Sequence, residues 1–192
     1  MTRLIFIAML IAAFVLAGCG GADQQVEVVE TEAEAAETCG GPTGEVYYSD
    51  SAIGTLKKII DNADGLPTVI VDTLSVENAP AMLGLLKDDF ASFIQEAAAA
   101  MCETDTIAFQ AVLVLCKDAD DAAMIDELIQ NGFDPGKWTV VFPDSSLTAV
   151  SGPYIMLAVG SDAETDALAD AFIKIIGGSV TTTVFYEGET GR

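Results

Sequence analysis

Apolar residues recur at helical spacing in five stretches of the chain, with polar residues between them. These stretches predict helices over residues 51–63, 75–86, 88–101, 118–131 and 161–176. In the third stretch, the residues expected to form the buried stripe are Phe90, Phe93, Ile94, Ala97 and Met101. In the fourth, the residues expected to face the core are Met124, Ile125, Leu128 and Ile129. The fifth opens with Ser161 and Glu164 at the spacing of a capping box, which indicates a helix start.

Runs rich in β-branched and apolar residues predict the strands. The predicted strands cover residues 106–115, 138–142, 147–150, 154–159 and 180–186, and residues 68–74 are either an extended segment or a short strand. The run 106–115 is nearly all apolar, which is typical of a central strand covered on both faces. Ser151-Gly152-Pro153 indicates a hairpin turn between two of the others. This order of elements predicts an α+β fold in which helices cover a small, mainly antiparallel sheet.

The amino end carries a different pattern. Arg3 precedes an apolar run at 4–15, which is shorter than the roughly 20 residues that a transmembrane helix needs and is typical of a secretory signal peptide. The run ends in Leu16-Ala17-Gly18-Cys19, which resembles the lipobox of bacterial lipoproteins. That resemblance implies a signal peptide at 1–18 and lipid attachment at Cys19. The alternative is an ordinary signal peptide with an incidental cysteine near its end.

Composition separates a tether from a domain. Residues 19–44 contain six acids and no base, with few large apolar side chains, so we expect a disordered linker there. Residues 45–186 form the predicted globular domain, and 187–192 a short tail.

The whole chain has 8 Lys+Arg, 30 Asp+Glu and a net charge of −22, which excludes nucleic-acid binding through clustered cations. It has no His, which excludes Ser-His-Asp triads and His-based metal sites.

Several short segments carry a family resemblance. They are Thr73-Leu74-Ser75, Ile107-Ala108-Phe109, Cys116-Lys117-Asp118-Ala119-Asp120, residues 138–150 and Gly152-Pro153-Tyr154-Ile155-Met156-Leu157. Together they resemble a family of small lipoproteins, mainly from Firmicutes, catalogued as domain of unknown function 4358. The resemblance covers residues 66–176. It implies a lipidated, tethered domain and no known activity, since none of these segments is a catalytic signature.

The cysteines suggest no redox centre. Cys102 and Cys116 flank the predicted strand 106–115, which spans about 30 Å, so we expect them at opposite ends of the sheet and not in a disulfide. Their expected state is two buried apolar thiols. Cys39 lies in the linker, where it is free to oxidise, to pair with another chain or to remain unreactive.

Other polar and aromatic residues admit two interpretations. The acidic stretches 118–121 and 162–166 lack the glycine of a calcium loop and coincide with helix starts, which favours capping. Gln110, inside a strand, is expected to bond neighbouring backbone. Trp138 and Tyr154 are either ordinary strand aromatics or the lining of a binding groove. No catalytic, cofactor-binding or metal-binding residue is predicted.

These features predict an extracytoplasmic lipoprotein, anchored to the membrane through Cys19, whose domain is a non-enzymatic binding or scaffolding module of the cell envelope. The alternative is a small-ligand or peptide-binding lipoprotein that serves a transporter or a sensor. A carboxylate-based hydrolase is a third interpretation. Besides the membrane, the expected partner is an envelope protein with a basic face or a small ligand.

Overall fold

A single sheet with helices on both faces organises the described chain. The computed structural model describes residues 51–104 and 106–188. The elements are α1 (Ala52–Asn62), β1 (Val69–Thr73), α2 (Ala79–Leu83), α3 (Lys87–Phe93), β2 (Ile94–Cys102), β3 (Gln110–Cys116), α4 (Ala122–Gly132), β4 (Ser145–Ser151), β5 (Tyr154–Gly160), α5 (Asp162–Ile176) and β6 (Thr181–Glu187). Short 3-10 turns occupy Ala119–Asp121 and Pro135–Lys137. This arrangement confirms the predicted α+β class.

The sheet has six strands in the order β1-β2-β3-β5-β4-β6, and every neighbouring pair is antiparallel. β3 and β5 lie at the centre and are buried along nearly their whole length, as the apolar run at 106–115 predicts for the strand that begins at Gln110. β4 and β5 form the predicted hairpin, with Ser151 opposite Tyr154. β6 confirms the predicted strand at 180–186 and forms one edge of the sheet.

Alternation along the central strands builds two cores. Leu113 and Met156 face α1 and α5, where they pack with Phe172. Their sequence neighbours Val112 and Leu157 face α2, α3 and α4 on the other side of the sheet. Since successive strand residues point to opposite faces, a central strand covered twice must be apolar at almost every position. The domain therefore has three layers, with the sheet in the middle.

The helix predicted over 88–101 is wrong in its second half. α3 ends at Phe93, and the chain continues directly into β2. Alanine-rich sequence favours a helix locally, but Ala98 and Ala100 are fully buried on the face covered by α1. Their small side chains leave room for that helix close to the sheet. The carboxylate of Glu96 also accepts a hydrogen bond from the backbone N–H of Ala52, at 2.9 Å, at the start of α1.

The helix predicted over 75–86 is much shorter in the structure. Only Ala79–Leu83 is helical, because Pro80 lacks the N–H that would bond the preceding turn, and Gly84 ends the helix in a left-handed conformation with φ +72°. At the same point α2 meets α4. A Cβ on Gly84 would lie 2.0 Å from the backbone carbon of Gly132, so the two backbones are in direct contact.

Two of the four residues predicted to face the core from α4 do so in the structure, and the prediction is wrong for the other two. Ile125 and Ile129 are fully buried, whereas Met124 and Leu128 are exposed. α4 packs its narrow i, i+4 stripe against the sheet, and the two exposed residues lie one position round the helix from it. The helical spacing is thus correct, but the width of the buried face was overestimated.

The strand predicted over 138–142 is also wrong. The segment is irregular, and Val140 is 77% exposed. β4, the next strand along the chain, already pairs with β5 on one side and β6 on the other. β4 therefore has no free edge, and residues 138–142 pair with no other strand of the sheet. The segment instead forms one wall of a cleft.

Candidate functional site: the α2 cleft

A cleft opens where α2 faces the ends of β2 and β3. Its volume is about 480 Å³, and its far wall is the segment 137–140. A second hollow of about 460 Å³ extends towards β1. The two hollows adjoin each other, since Ala81, Met82, Met101 and Cys102 line both of them, and together they form a trough along the sheet. We call this trough the α2 cleft.

The floor of the α2 cleft is the sheet face that the helices on this side leave uncovered. Ile70, Met101 and Gln110 stand directly opposite one another on β1, β2 and β3. Asp72 and Ala99 form the next row on the same face. Ile70 is 58% exposed and Met101 46% exposed, although both are large apolar side chains. The floor is therefore accessible and mostly apolar, with one carboxylate at the β1 end.

Lys137 lies at the other end of the α2 cleft. Its ammonium group donates hydrogen bonds to the Ala81 carbonyl oxygen at 3.1 Å and to Gln110 Oε1 at 2.5 Å. The Gln110 amide nitrogen in turn donates to the Met82 carbonyl oxygen at 2.7 Å. The expectation that Gln110 bonds neighbouring backbone is confirmed for its amide nitrogen. Its oxygen, however, orients a cation beside the cleft.

Aromatic rings border the same ammonium group. It lies 4.5 Å from the centre of the Trp138 ring and 4.8 Å from that of Phe133. Burial lowers the pKa of Lys137 to about 8, and the nearby carboxylate of Asp134 opposes part of that shift. Lys137 lines the cleft despite this burial, so a ligand in the cleft lies against its side chain. Trp138 thus lines a groove and lies outside any strand, whereas Tyr154 is buried in the core.

The acidic stretches cap helices, as predicted. The Asp118 carboxylate accepts a hydrogen bond from the backbone N–H of Asp120 at 3.0 Å. Ser161 and Glu164 form the complete capping box, with the Ser161 N–H donating to Glu164 Oε2 at 2.7 Å. Over residues 51–104 and 106–188, no group of three or more acids and cysteines is arranged to hold a metal ion.

Cys102 and Cys116 are free thiols at opposite ends of the β2–β3 pair, as the strand length predicts. Cys116 is buried, and burial together with the negative charge of Asp121 raises its pKa to about 12. Cys102 is only partly buried, so the expectation of two buried thiols is wrong for Cys102 and confirmed for Cys116 alone. Burial and the charge of Glu164 raise the pKa of the Cys102 thiol too.

This difference makes the two thiols distinguishable by alkylation. We expect iodoacetamide at pH 8 to modify Cys102 at least about tenfold faster than Cys116, since the thiolate is the reacting form and Cys116 is also inaccessible. Peptide mapping by mass spectrometry of the full chain measures both rates. In denaturant the two rates should become similar, and equal rates in the native protein would contradict the burial of Cys116.

Cys19, the linker at 19–44 and Cys39 lie outside the described residues. In the part of the chain that the structure does describe, no helix is both long and apolar enough to cross a membrane. Lipid attachment at Cys19 and the position of the protein outside the cytoplasm therefore stay predictions from the sequence.

Apart from Trp138, for which the lining of a groove was one of two interpretations, the residues of the α2 cleft were not predicted as a site. For Lys137 the sequence contains one weak indication of a binding role. It is one of 8 basic residues against 30 acidic ones, and it lies next to the only Trp. For Asp72, Met82 and Met101 the sequence contains no such indication. They come from three different elements, and only the packing of α2 against the sheet brings them to one trough.

Comparison with protein-family models gave no matching family, and comparisons with curated proteins and with solved structures gave no match either. Similarity to the small lipoprotein family stays a prediction from the short segments quoted above. The function therefore has to be inferred from the α2 cleft and from the amino-terminal sequence.

Proposed function

We propose that this protein is a lipid-anchored, extracytoplasmic binding protein whose ligand occupies the α2 cleft. The observation that carries the proposal is the cleft itself: apolar walls, an accessible floor and a few convergent polar groups around Lys137. Binding sites for small molecules typically combine concave apolar surface with a few placed polar groups. This geometry favours ligand or peptide binding over a purely scaffolding role, which would not need such a cleft.

The amino-terminal sequence supports the proposed location. A diacylated cysteine at position 19 would carry two acyl chains, and two chains give stable membrane anchoring where one gives only marginal binding. The acidic linker would then hold the domain away from an anionic lipid surface, because like charges repel. A ligand that reaches the α2 cleft would in this way be captured close to the membrane, next to a transporter or a sensor.

Replacing Cys19 with Ser tests the anchor. We expect the wild-type chain in the membrane fraction of its cells and C19S in the soluble fraction outside the cytoplasm, since Ser provides no thiol for lipid attachment. Cys39→Ser is the matched control, because it removes another cysteine and should leave the chain in the membrane fraction. Wild-type protein recovered soluble in the cytoplasm with Met1 intact would overturn the proposed location.

Filling the cleft tests binding. Ala81 is exposed and lines both hollows, so Ala81→Trp should occupy the trough without disturbing the core. Ala123 is an exposed helical alanine on α4 outside the cleft, which makes Ala123→Trp the matched control. We expect at least one class among amino acids, short peptides, sugars and nucleotides to raise the Tm of the full chain and of A123W, but not that of A81W. A Tm shift that A81W retains, or no shift with any class, would contradict ligand binding in this cleft.

A further inference from the structure

The α2 cleft has opposite charges at its two ends. Lys137 lies at the end formed by β3 and the segment 137–140, and Asp72 at the end formed by β1. Between them the lining is apolar, with Ile70, Met82 and Met101. A ligand that fits this pattern has an anionic end, a cationic end and an apolar middle.

Both charged groups retain free hydrogen-bonding capacity. An ammonium group has three N–H donors, and Lys137 uses two of them on Ala81 and Gln110. Asp72 accepts one hydrogen bond, from the backbone N–H of Thr73 at 2.7 Å, and its second oxygen has no such contact among the described residues. Neither group forms an ion pair with another described side chain. Each can therefore take a partner from a ligand.

The register of the sheet sets the separation of the two ends. Gln110, which accepts a hydrogen bond from Lys137, lies on β3, two strands away from β1. It is level with Ile70 across the sheet, and Ile70 is two residues from Asp72 along β1. Strands about 4.8 Å apart and residues about 3.3 Å apart place the Cα atoms of Asp72 and Gln110 about 12 Å from each other. A chain of two or three residues spans up to about 10 Å when extended, which leaves room for an ion pair at each end.

The net charge of the whole protein limits the classes of ligand further. With a net charge of −22, the chain repels ligands that are anionic overall, such as nucleotides or free fatty acids. A zwitterion has no net charge to repel, yet it provides a carboxylate for Lys137. Met82 and Met101 have flexible side chains that adapt to different apolar partners, which favours breadth over strict selectivity.

We propose that the α2 cleft binds short apolar peptides of two or three residues, with the peptide carboxylate at Lys137 and the peptide amine at Asp72. This inference rests on the proposed binding function and specifies its ligand. Trp138 and Met101 then contact the peptide side chains, and the trough between α2 and the sheet accepts the extended backbone. The specificity is for the two free ends of the peptide and for apolar side chains between them.

Calorimetry with the full-length chain and the tripeptide Ala-Leu-Ala tests the proposal. We expect binding by the free peptide, a loss of about 10- to 100-fold in affinity when its carboxylate is amidated, and a smaller loss when its amine is acetylated. These probes leave the protein unchanged, so they do not depend on the folding of a variant. An amidated peptide that binds as tightly as the free one would overturn the assignment of Lys137.

Variants then assign each end of the peptide. In Lys137→Met the free peptide should bind about 10- to 100-fold more weakly, and amidation should cause no further loss, because the partner of the carboxylate is already gone. Asp72→Asn should remove the effect of acetylation in the same way. Lys117→Met is the control for the first variant, since Lys117 also donates to two carbonyl oxygens but lies outside the cleft. Asp170→Asn, at an exposed position on α5 outside the cleft, is the control for the second.

The outcomes separate this inference from the proposed function. If another compound class raises the Tm and A81W abolishes that shift, while Ala-Leu-Ala does not bind, the cleft is a binding site and the peptide assignment is wrong. If nothing binds in the cleft, both proposals fail. An effect of amidation that persists unchanged in Lys137→Met would contradict the placement of the carboxylate even though the peptide binds.

Discussion

Replacing Gly84 with Ala is expected to lower the free energy of unfolding by about 2–5 kcal/mol, as the sum of a left-handed backbone penalty and an overpacking penalty. Gly84 has φ +72°, a left-handed backbone conformation that is unfavourable for residues with a Cβ. The added methyl would also lie 2.0 Å from the backbone carbon of Gly132. Backbone cannot rotate out of the way as a side chain can, so α2 must move away from α4.

Chemical denaturation followed by circular dichroism measures this loss. Gly65→Ala is the matched control, because Gly65 has φ +79° but no atom within 4 Å of the added Cβ. Gly65→Ala should lower the free energy of unfolding by only about 1–2 kcal/mol, the backbone penalty alone. The difference between the two variants is then the contribution of the contact with Gly132. Equal losses in the two variants would show that α2 and α4 separate freely. Since α2 forms a wall of the α2 cleft, G84A should also weaken ligand binding.

Replacing Phe172 with Ala is expected to lower the free energy of unfolding by about 3–5 kcal/mol, as for other large aromatic residues removed from a core. Phe172 is 0% exposed and lies on α5, in the core that this helix shares with α1 and the sheet. Its removal leaves a cavity between elements that are held from several sides, so the structure can collapse only partly around it.

The next residue on the same helix provides the control. Ile173 is 44% exposed, so Ile173→Ala should change the free energy of unfolding by less than about 1 kcal/mol. Thermal unfolding of the full chain compares the two variants directly. Losses of similar size would mean that α5 does not bury Phe172 against the sheet, and that the two-core architecture is incorrect.

Elements whose signal is contained within their own residues were predicted well. β4 and β5 combine apolar runs with a Gly-Pro turn between them, and each has a paired neighbour along the chain. α5 carries its own start signal, because the capping box satisfies backbone donors with side chains only three residues away. In such cases local sequence and tertiary structure favour the same conformation.

Elements whose conformation depends on distant neighbours were not predicted. Residues 94–102 have helical propensity, yet β1 and β3 provide a hydrogen-bonding partner on each side of β2, and α1 needs a flat alanine surface. Residues 138–142 have strand propensity, but β4, the next strand along the chain, is already paired on both sides and they pair with no other strand of the sheet. Propensities of this size are easily outweighed by pairing and burial.

The sequence by itself determined the acidic character of the chain, the α+β class, the capped helices and the exclusion of His-based chemistry, because composition and short-range periodicity are local properties. It also predicts the lipid anchor at Cys19. Only the tertiary structure decided where the α2 cleft opens and that Lys137 and Asp72 face it from opposite ends. These residues are far apart in the chain and become neighbours through strand register and helix packing, which no local pattern encodes.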